Sequence, residues 1–252
     1  MAESLSFERI ADRYDETRGG VERGRHAAAI LDGVLELGPL SLEVGVGTGL
    51  VTDGLAELGH RVVGVDLSPA MAVRAVERIG PRVAVADAKR LPVADGRFDQ
   101  AYSVWVLHLV GDISSVLAEV ARVLRRGGRY VVLPAYGRDA EDPFSRLFLR
   151  MWDELDPEGI RKDDEPRLRE LAPAAGLRIE DAFRGPDLVR RESPATLIRN
   201  IEQRVFSILW DVEDERWRRH VEPVLEEVRS MPDPDVPIDR PLPFNAVVLE
   251  RA

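Results

Sequence analysis

Cysteine is absent from the 252 residues. That excludes a disulfide framework, a thiol nucleophile and a thiolate-ligated metal. Histidine is scarce, and the four imidazoles, His26, His60, His108 and His220, never fall at the helical spacing that chelates zinc. No metal site is expected. No apolar run approaches the length of a membrane span, and the first residues lack a signal-peptide pattern. The expectation is a cytoplasmic protein without a membrane partner. An excess of positive charge is missing too: Lys and Arg number 35 against 45 Asp and Glu, a formal net charge of -10. That balance argues against a nucleic-acid partner, whose phosphates require a basic face. Internal repeats and low-complexity segments are also lacking. Aliphatic residues are plentiful, and a hydrophobic content of 44% supports one sizeable core at this length. A single domain over 1–252 is therefore expected.

Against these absences stands a glycine-dense stretch, Leu42-Glu43-Val44-Gly45-Val46-Gly47-Thr48-Gly49. An apolar run ends at a carboxylate, and three glycines follow at alternate positions. A buried parallel strand turns in this way into a tight loop that lies against a ligand. Glycine permits positive φ there and removes the Cβ that would block close approach. Apolar residues downstream alternate between two periods. Residues 42–46 read as a strand, 50–58 as a helix and 61–66 as a second strand. Ser68 is a good N-cap and Pro69 a good first residue for a helix running to Ile79. Further strands are expected at 83–86, 98–104 and 129–133. A helix at 113–124 is ended by Gly127-Gly128. This alternation predicts parallel βαβ units, and so an α/β, doubly wound sheet with helices on both faces. Helices are also expected at 7–14 and 22–37, and at 143–155, 166–175, 194–212 and 213–228. Strands at 177–183 and 244–251 and a proline-rich loop at 231–243 complete the pattern.

The glycine loop has two readings. Dinucleotide sites favour G-x-G-x-x-G, whereas here the third glycine comes two residues after the second. Asp66 ends the second strand about 20 residues beyond the glycines, where a ribose-binding acid stands in either class. Its carboxylate accepts two hydroxyls in one bidentate contact. A helix-cap reading of Asp66 is weakened by Ser68, which already fills that role.

Preceded by Glu43, the loop reads E-x-G-x-G-x-G, which resembles the first motif of class I S-adenosylmethionine-dependent methyltransferases. Asp66-Leu67-Ser68 followed by Met71 resembles the second, and Val85-Ala86-Asp87-Ala88 followed by Leu91-Pro92 the third. Phe98-Asp99, Ser103 and Val106-Leu107-His108 resemble the fourth strand and its exit. Residues 117–128, LAEVARVLRRGG, resemble the helix and turn before the fifth strand, with Arg126 where the family usually has proline. The ordered matches cover 42–133 and follow the type 11 methyltransferase pattern. Ala11-Asp12-Arg13-Tyr14-Asp15 with Arg18 resembles the A-x-x-Y-D opening helix of many such enzymes.

The resemblance implies a mostly parallel, seven-stranded, Rossmann-like sheet with an antiparallel last strand and helical lid elaborations. N-terminal helices would occupy 1–38, the cofactor core 39–137, and a substrate lid the insertions 138–164 and 184–243. It implies S-adenosylmethionine as cofactor and S-adenosylhomocysteine as product. Glu43, Gly45, Gly47, Thr48, Gly49 and Asp66 would form the donor site. Leu67 and Met71 would flank the adenine, Asp87 would accept from its amino group, and Ala88 and Ser103 would belong to the same cofactor site. Tyr14 would close over the methionine end and Arg18 pair with its carboxylate. His108 is the candidate base, as an imidazole at a strand exit; packing or a backbone hydrogen bond is the competing reading. Phe144, Leu147, Phe148, Met151 and Trp152 form one apolar stripe, and Phe206, Leu209 and Trp210 another. Both are mostly core, with a minority facing a partly apolar small-molecule acceptor. Arg190, Arg191, Arg199 and Arg204 could bind an acidic acceptor, but with many glutamates nearby they read as a solvated, ion-paired face. The alternatives are an S-adenosylmethionine-binding regulatory or scaffold subunit without turnover, and a nicotinamide-dependent dehydrogenase.

Overall fold

The computed structural model describes residues 14–15, 19–134, 142–157 and 162–252. The helix expected at 7–14, apart from Tyr14, and Arg18 lie outside them. The chain divides into two compact units. The first comprises Met1–Ala135, Arg161–Pro186 and Phe244–Ala252, and the second Tyr136–Ile160 and Asp187–Pro243. No helix among the described residues is long and apolar enough to cross a membrane.

The first unit is built on a seven-stranded sheet. Its strands are β1 (Leu40–Val44), β2 (Arg61–Asp66), β3 (Val83–Val85), β4 (Phe98–Val104), β5 (Leu124–Leu133), β6 (Leu177–Arg184) and β9 (Asn245–Arg251), in the order β3-β2-β1-β4-β5-β9-β6. The strands from β3 to β5 pair in parallel, whereas β9 runs antiparallel to both neighbours. Helices α1 (Gly20–Asp32), α2 (Leu50–Glu57) and α3 (Pro69–Ile79) neighbour one another in sequence order. Helices α4 (Ile113–Val123) and α6 (Glu165–Leu171) form a second group, packed on Leu42, Val44 and Val132 of the sheet through Val116, Val120 and Leu168. The opposite face of β1 and β4 is buried but polar. Gln100 Nε2 donates to Ser41 Oγ at 2.8 Å, and Tyr102 sits beside Glu43. Strand alternation puts these residues on one side and the aliphatic ones on the other.

A first expected boundary is corrected at Gly127-Gly128. Gly127-Gly128 does not separate helix from strand: β5 starts at Leu124, directly after α4, and carries both glycines inside it. They form an irregularity between the pairs Phe98↔Leu124 and Gln100↔Arg129. Gly127 has φ +72, and a Cβ on Gly128 would lie 2.8 Å from the Arg125 carbonyl. Glycine here permits a bulge rather than a stop.

The second unit holds α5 (Pro143–Leu155), β7 (Leu188–Glu192), α7 (Pro194–Glu202), a 3₁₀ turn at Ser207–Leu209, a helix running from Asp214–Arg216 through a π-helical stretch at Trp217–Val221 into α8 (Glu222–Arg229), and β8 (Ile238–Leu242). Its core joins Phe144, Met151, Leu197, Leu209 and Leu225. The helix expected at 194–212 stops at Glu202. Arg204 there takes a left-handed φ of +50, and its guanidinium donates to the carbonyls of Leu209 and Val212. A charged residue thus performs the capping usually left to glycine. The proline-rich stretch expected as a loop contributes β8, antiparallel to β7, with Pro241 opposite Val189. A two-stranded ribbon tolerates proline because each strand has an edge where no N–H is needed.

Candidate functional site

Strand order reverses between β1 and β4, since the chain runs from β1 outward to β2 and β3 before returning to β4. In open α/β sheets, ligands bind outside the carboxyl ends of the strands at such a point. A cavity of about 890 Å³, counted to its open mouth, lies there in the first unit. Gly45 and Gly47 form its floor, with Asp66, Leu67 and Met71 along one side. Asp87 and Ala88 come from beyond β3, and Tyr14 from the N-terminal segment.

The loop is held by the strands it leaves. Gly45 N and Val46 N both donate to Val65 O, at 2.8 and 2.9 Å. Gly45 has φ +81, and a Cβ there would fall 2.8 Å from Val106 Cγ1 and nearer still to Cγ2. Gly47, at φ +55, has open space where its Cβ would be. Gly49 caps α2 at φ +80, and Thr48 is buried. Neither of these two lines the cavity; both support the loop from behind.

Asp66 joins the loop to the next helix. Its Oδ2 accepts from Gly47 N at 2.8 Å and its Oδ1 from Ser68 N at 2.9 Å. Ser68 Oγ in turn accepts from Met71 N at 3.3 Å, as an N-cap does. Burial pushes the Asp66 carboxyl above its ordinary range, opposed by these backbone donors. A carboxylate has about four acceptor positions, so two oxygens with one backbone donor each retain capacity for hydroxyl donors. Asp87 is half exposed; its Oδ1 accepts from Lys89 N at 2.9 Å.

Glu43 lies beneath the loop, 1% exposed. Its Oε2 accepts from Tyr102 Oη at 3.1 Å and, more closely, from Thr52 Oγ1. Burial pushes its carboxyl up to about 8, against the pull of these two hydroxyls, and the Asp66 charge pushes the same way. Glu43 is therefore a brace between β1, α2 and β4 rather than a cavity wall. Ser103 also lies away from the cavity, fully buried and 2.7 Å from Tyr130 Oη.

His108 follows β4 in a short 3₁₀ turn and is not among the residues lining the cavity. The fully buried Asp163 carboxylate accepts from His108 N at 3.1 Å, and its Oδ2 lies 3.6 Å from His108 Nδ1. No sequence signal singled out Asp163, which sits in an acidic run. Sequence reasoning also missed Trp105 in the cavity wall. Its backbone takes φ +55, a left-handed conformation costly for a bulky residue. The Arg23 guanidinium lies 3.5 Å from its ring centroid, and Phe244 meets it edge-on at 5.5 Å.

A family model described as a methyltransferase domain matches residues 42–132, the stretch that supplies the cavity apart from Tyr14. Residues 42–132 are similar to that family. The chain is 43% identical over 68 residues to a ubiquinone/menaquinone biosynthesis C-methyltransferase of Desulfotalea psychrophila, covering 26% of this chain and 28% of the relative. It is 34% identical over 96 residues to an O-methyltransferase of Penicillium expansum, covering 38% of this chain and 33% of that one. The chain thus spans a third or less of the length of these curated relatives. A solved structure of an S-adenosylmethionine-dependent methyltransferase from Thermotoga maritima superimposes with a TM-score of 0.60 at 19% identity, covering 99% of this chain and 100% of that one. That likeness establishes the fold: a seven-stranded Rossmann-like sheet flanked by helices, with its last strand antiparallel.

Proposed function

We infer that the cavity holds S-adenosylmethionine and that the protein transfers its methyl group to a small, partly apolar acceptor. One observation carries the reading: Gly47 N is bonded to the Asp66 carboxylate across the switch-point cavity, inside the stretch that matches the methyltransferase domain. The residues present fit the cofactor. The open space above Gly47 is a cradle that a Cβ would fill. Asp66 keeps acceptor capacity for the two ribose hydroxyls, Leu67 and Met71 offer apolar faces to adenine, and Asp87 offers an acceptor to its amino group. Tyr14 stands over the methionine end.

When bound, the cofactor supplies a methyl group already activated on sulfonium, open to in-line displacement. The chain's own residues then have to align and to exclude water. The β4 exit is suited to this: Val104, Trp105, Val106, Leu109 and Val110 make an apolar wall. An acceptor that binds through apolar surface would be held against that wall with little competing solvent. Where the acceptor is a hydroxyl or protonated amine, a base must take its proton. We propose His108 for that role, its backbone N–H held by the buried Asp163 carboxylate at the β4 exit.

Calorimetric titration with S-adenosylhomocysteine and, separately, with NAD tests the cofactor; micromolar binding of the first and none of the second is expected. NAD binding alone would overturn the reading. Incubation of a metabolite extract with methyl-labelled cofactor then identifies the acceptor class. With that acceptor, His108→Gln is expected to lower turnover at least about tenfold while S-adenosylhomocysteine affinity holds. Unchanged turnover removes His108 from the mechanism.

A further inference from the structure

Tyr14 lines the cavity although it comes from outside the matched domain, so something must hold it there. The next residue does. Asp15 Oδ1 accepts from Thr48 Oγ1 at 2.5 Å, and its Oδ2 accepts from Arg78 Nη2 at 2.7 Å. Arg78 Nη1 donates to the Thr48 main-chain carbonyl, which closes a ring of three residues. Thr48 lies between Gly47 and Gly49, and Arg78 is in the last turn of α3. The ring therefore ties the N-terminal segment, the glycine loop and α3 together at one carboxylate. Each oxygen of Asp15 receives one donor, and one donor is a guanidinium whose fork reaches two acceptors at once.

We propose that Asp15 is the anchor that holds Tyr14 at the cavity wall, with Arg78 and Thr48 as positioning residues for the bound cofactor. The proposal rests on the cofactor reading above for its consequence, and on the ring itself for its structural part. Asp15 and Arg78 are about one-quarter exposed, so solvent screens the pair and moderates its strength. The anchor also explains why threonine suits the middle of the loop. A hydroxyl on the buried side can reach Asp15 without entering the cavity.

The test uses the full chain and two variants. Asp15→Asn removes the charge and keeps the shape. Arg78→Lys keeps the charge and loses the fork. Both are expected to weaken S-adenosylhomocysteine binding about three- to tenfold in calorimetry. In a Tyr14→Ala background, Asp15→Asn should add little further loss, because its effect runs through Tyr14. Additive losses would assign Asp15 a purely structural role and overturn the proposal, as would wild-type affinity in both variants. Hydrogen exchange on the unliganded protein separates this idea from the cofactor reading. Exchange at Tyr14 and Asp15 should quicken several-fold in both variants, with β4 and β5 unaffected. Unchanged exchange overturns the anchor whatever binds. Quickened exchange in a protein that does not bind S-adenosylhomocysteine upholds the anchor and removes the cofactor reading.

Discussion

At the scale of single residues, the glycine loop is held to its shape by contacts as much as by its own flexibility. Gly45 is the sharpest case, since positive φ and the Val106 side chain both exclude a Cβ. Gly45→Ala is expected to cost about 2–4 kcal/mol in urea unfolding and to weaken S-adenosylhomocysteine binding more than tenfold. Adding Val106→Ala relieves the clash but not the backbone, so it should restore only part of the stability. Asp66→Ala should weaken the same affinity by several-fold to about a hundredfold, as loss of a charged acceptor implies; wild-type affinity would remove Asp66 from the ribose site. The glycine loop was legible as a tight turn because glycines and a strand-terminal carboxylate in this spacing are rare enough to stand out. Trp105 and Asp163 were not. Nothing in a sequence announces that a tryptophan will take a left-handed φ, or that one acid in a run of charges will be the buried one.

At the scale of elements, Glu43 braces β1 to α2 and β4 through Thr52 and Tyr102. Its carboxyl is pushed up to about 8 in the fold, from an ordinary value of 4.5, chiefly by burial. The folded protein therefore binds a proton more tightly than the unfolded chain. This contribution is fully present below the unfolded value and is lost as pH rises through about 8. Melting temperature followed from pH 5 to 8.5 should show wild type falling relative to Glu43→Gln, with a difference on the order of a few kcal/mol across the window. Parallel curves would mean that Glu43 does not carry the shift. Capping residues announced α3 through Ser68-Pro69, and it begins where the sequence suggests. Boundaries failed where the stop signal was atypical. Gly127-Gly128 continued a strand, Arg204 ended a helix, and a proline-rich run paired as β8.

At the scale of the molecule, donor binding should register as stability. Ligand at about 100 times its Kd adds about 2.7 kcal/mol to a protein that binds only when folded. A rise of several degrees in Tm with S-adenosylhomocysteine, and none with NAD, is expected by differential scanning fluorimetry; a rise with NAD alone would overturn the cofactor reading. The parallel half of the sheet was legible because each βαβ unit is local in sequence. The first unit as a whole was less so, because it is assembled from three separate stretches of chain. Its sheet order has a temporal consequence. β9 lies between β5 and β6, yet it follows both of them and the whole Asp187–Pro243 segment in sequence. On the ribosome, β6 emerges with its ladder partner β9 still unmade, and β5 with one edge bare. Exposed edges of this kind invite pairing with other chains. The nascent protein must therefore pass through a period in which the strands around the glycine loop are complete while the far edge of its sheet stays open, and chaperone demand should be greatest then.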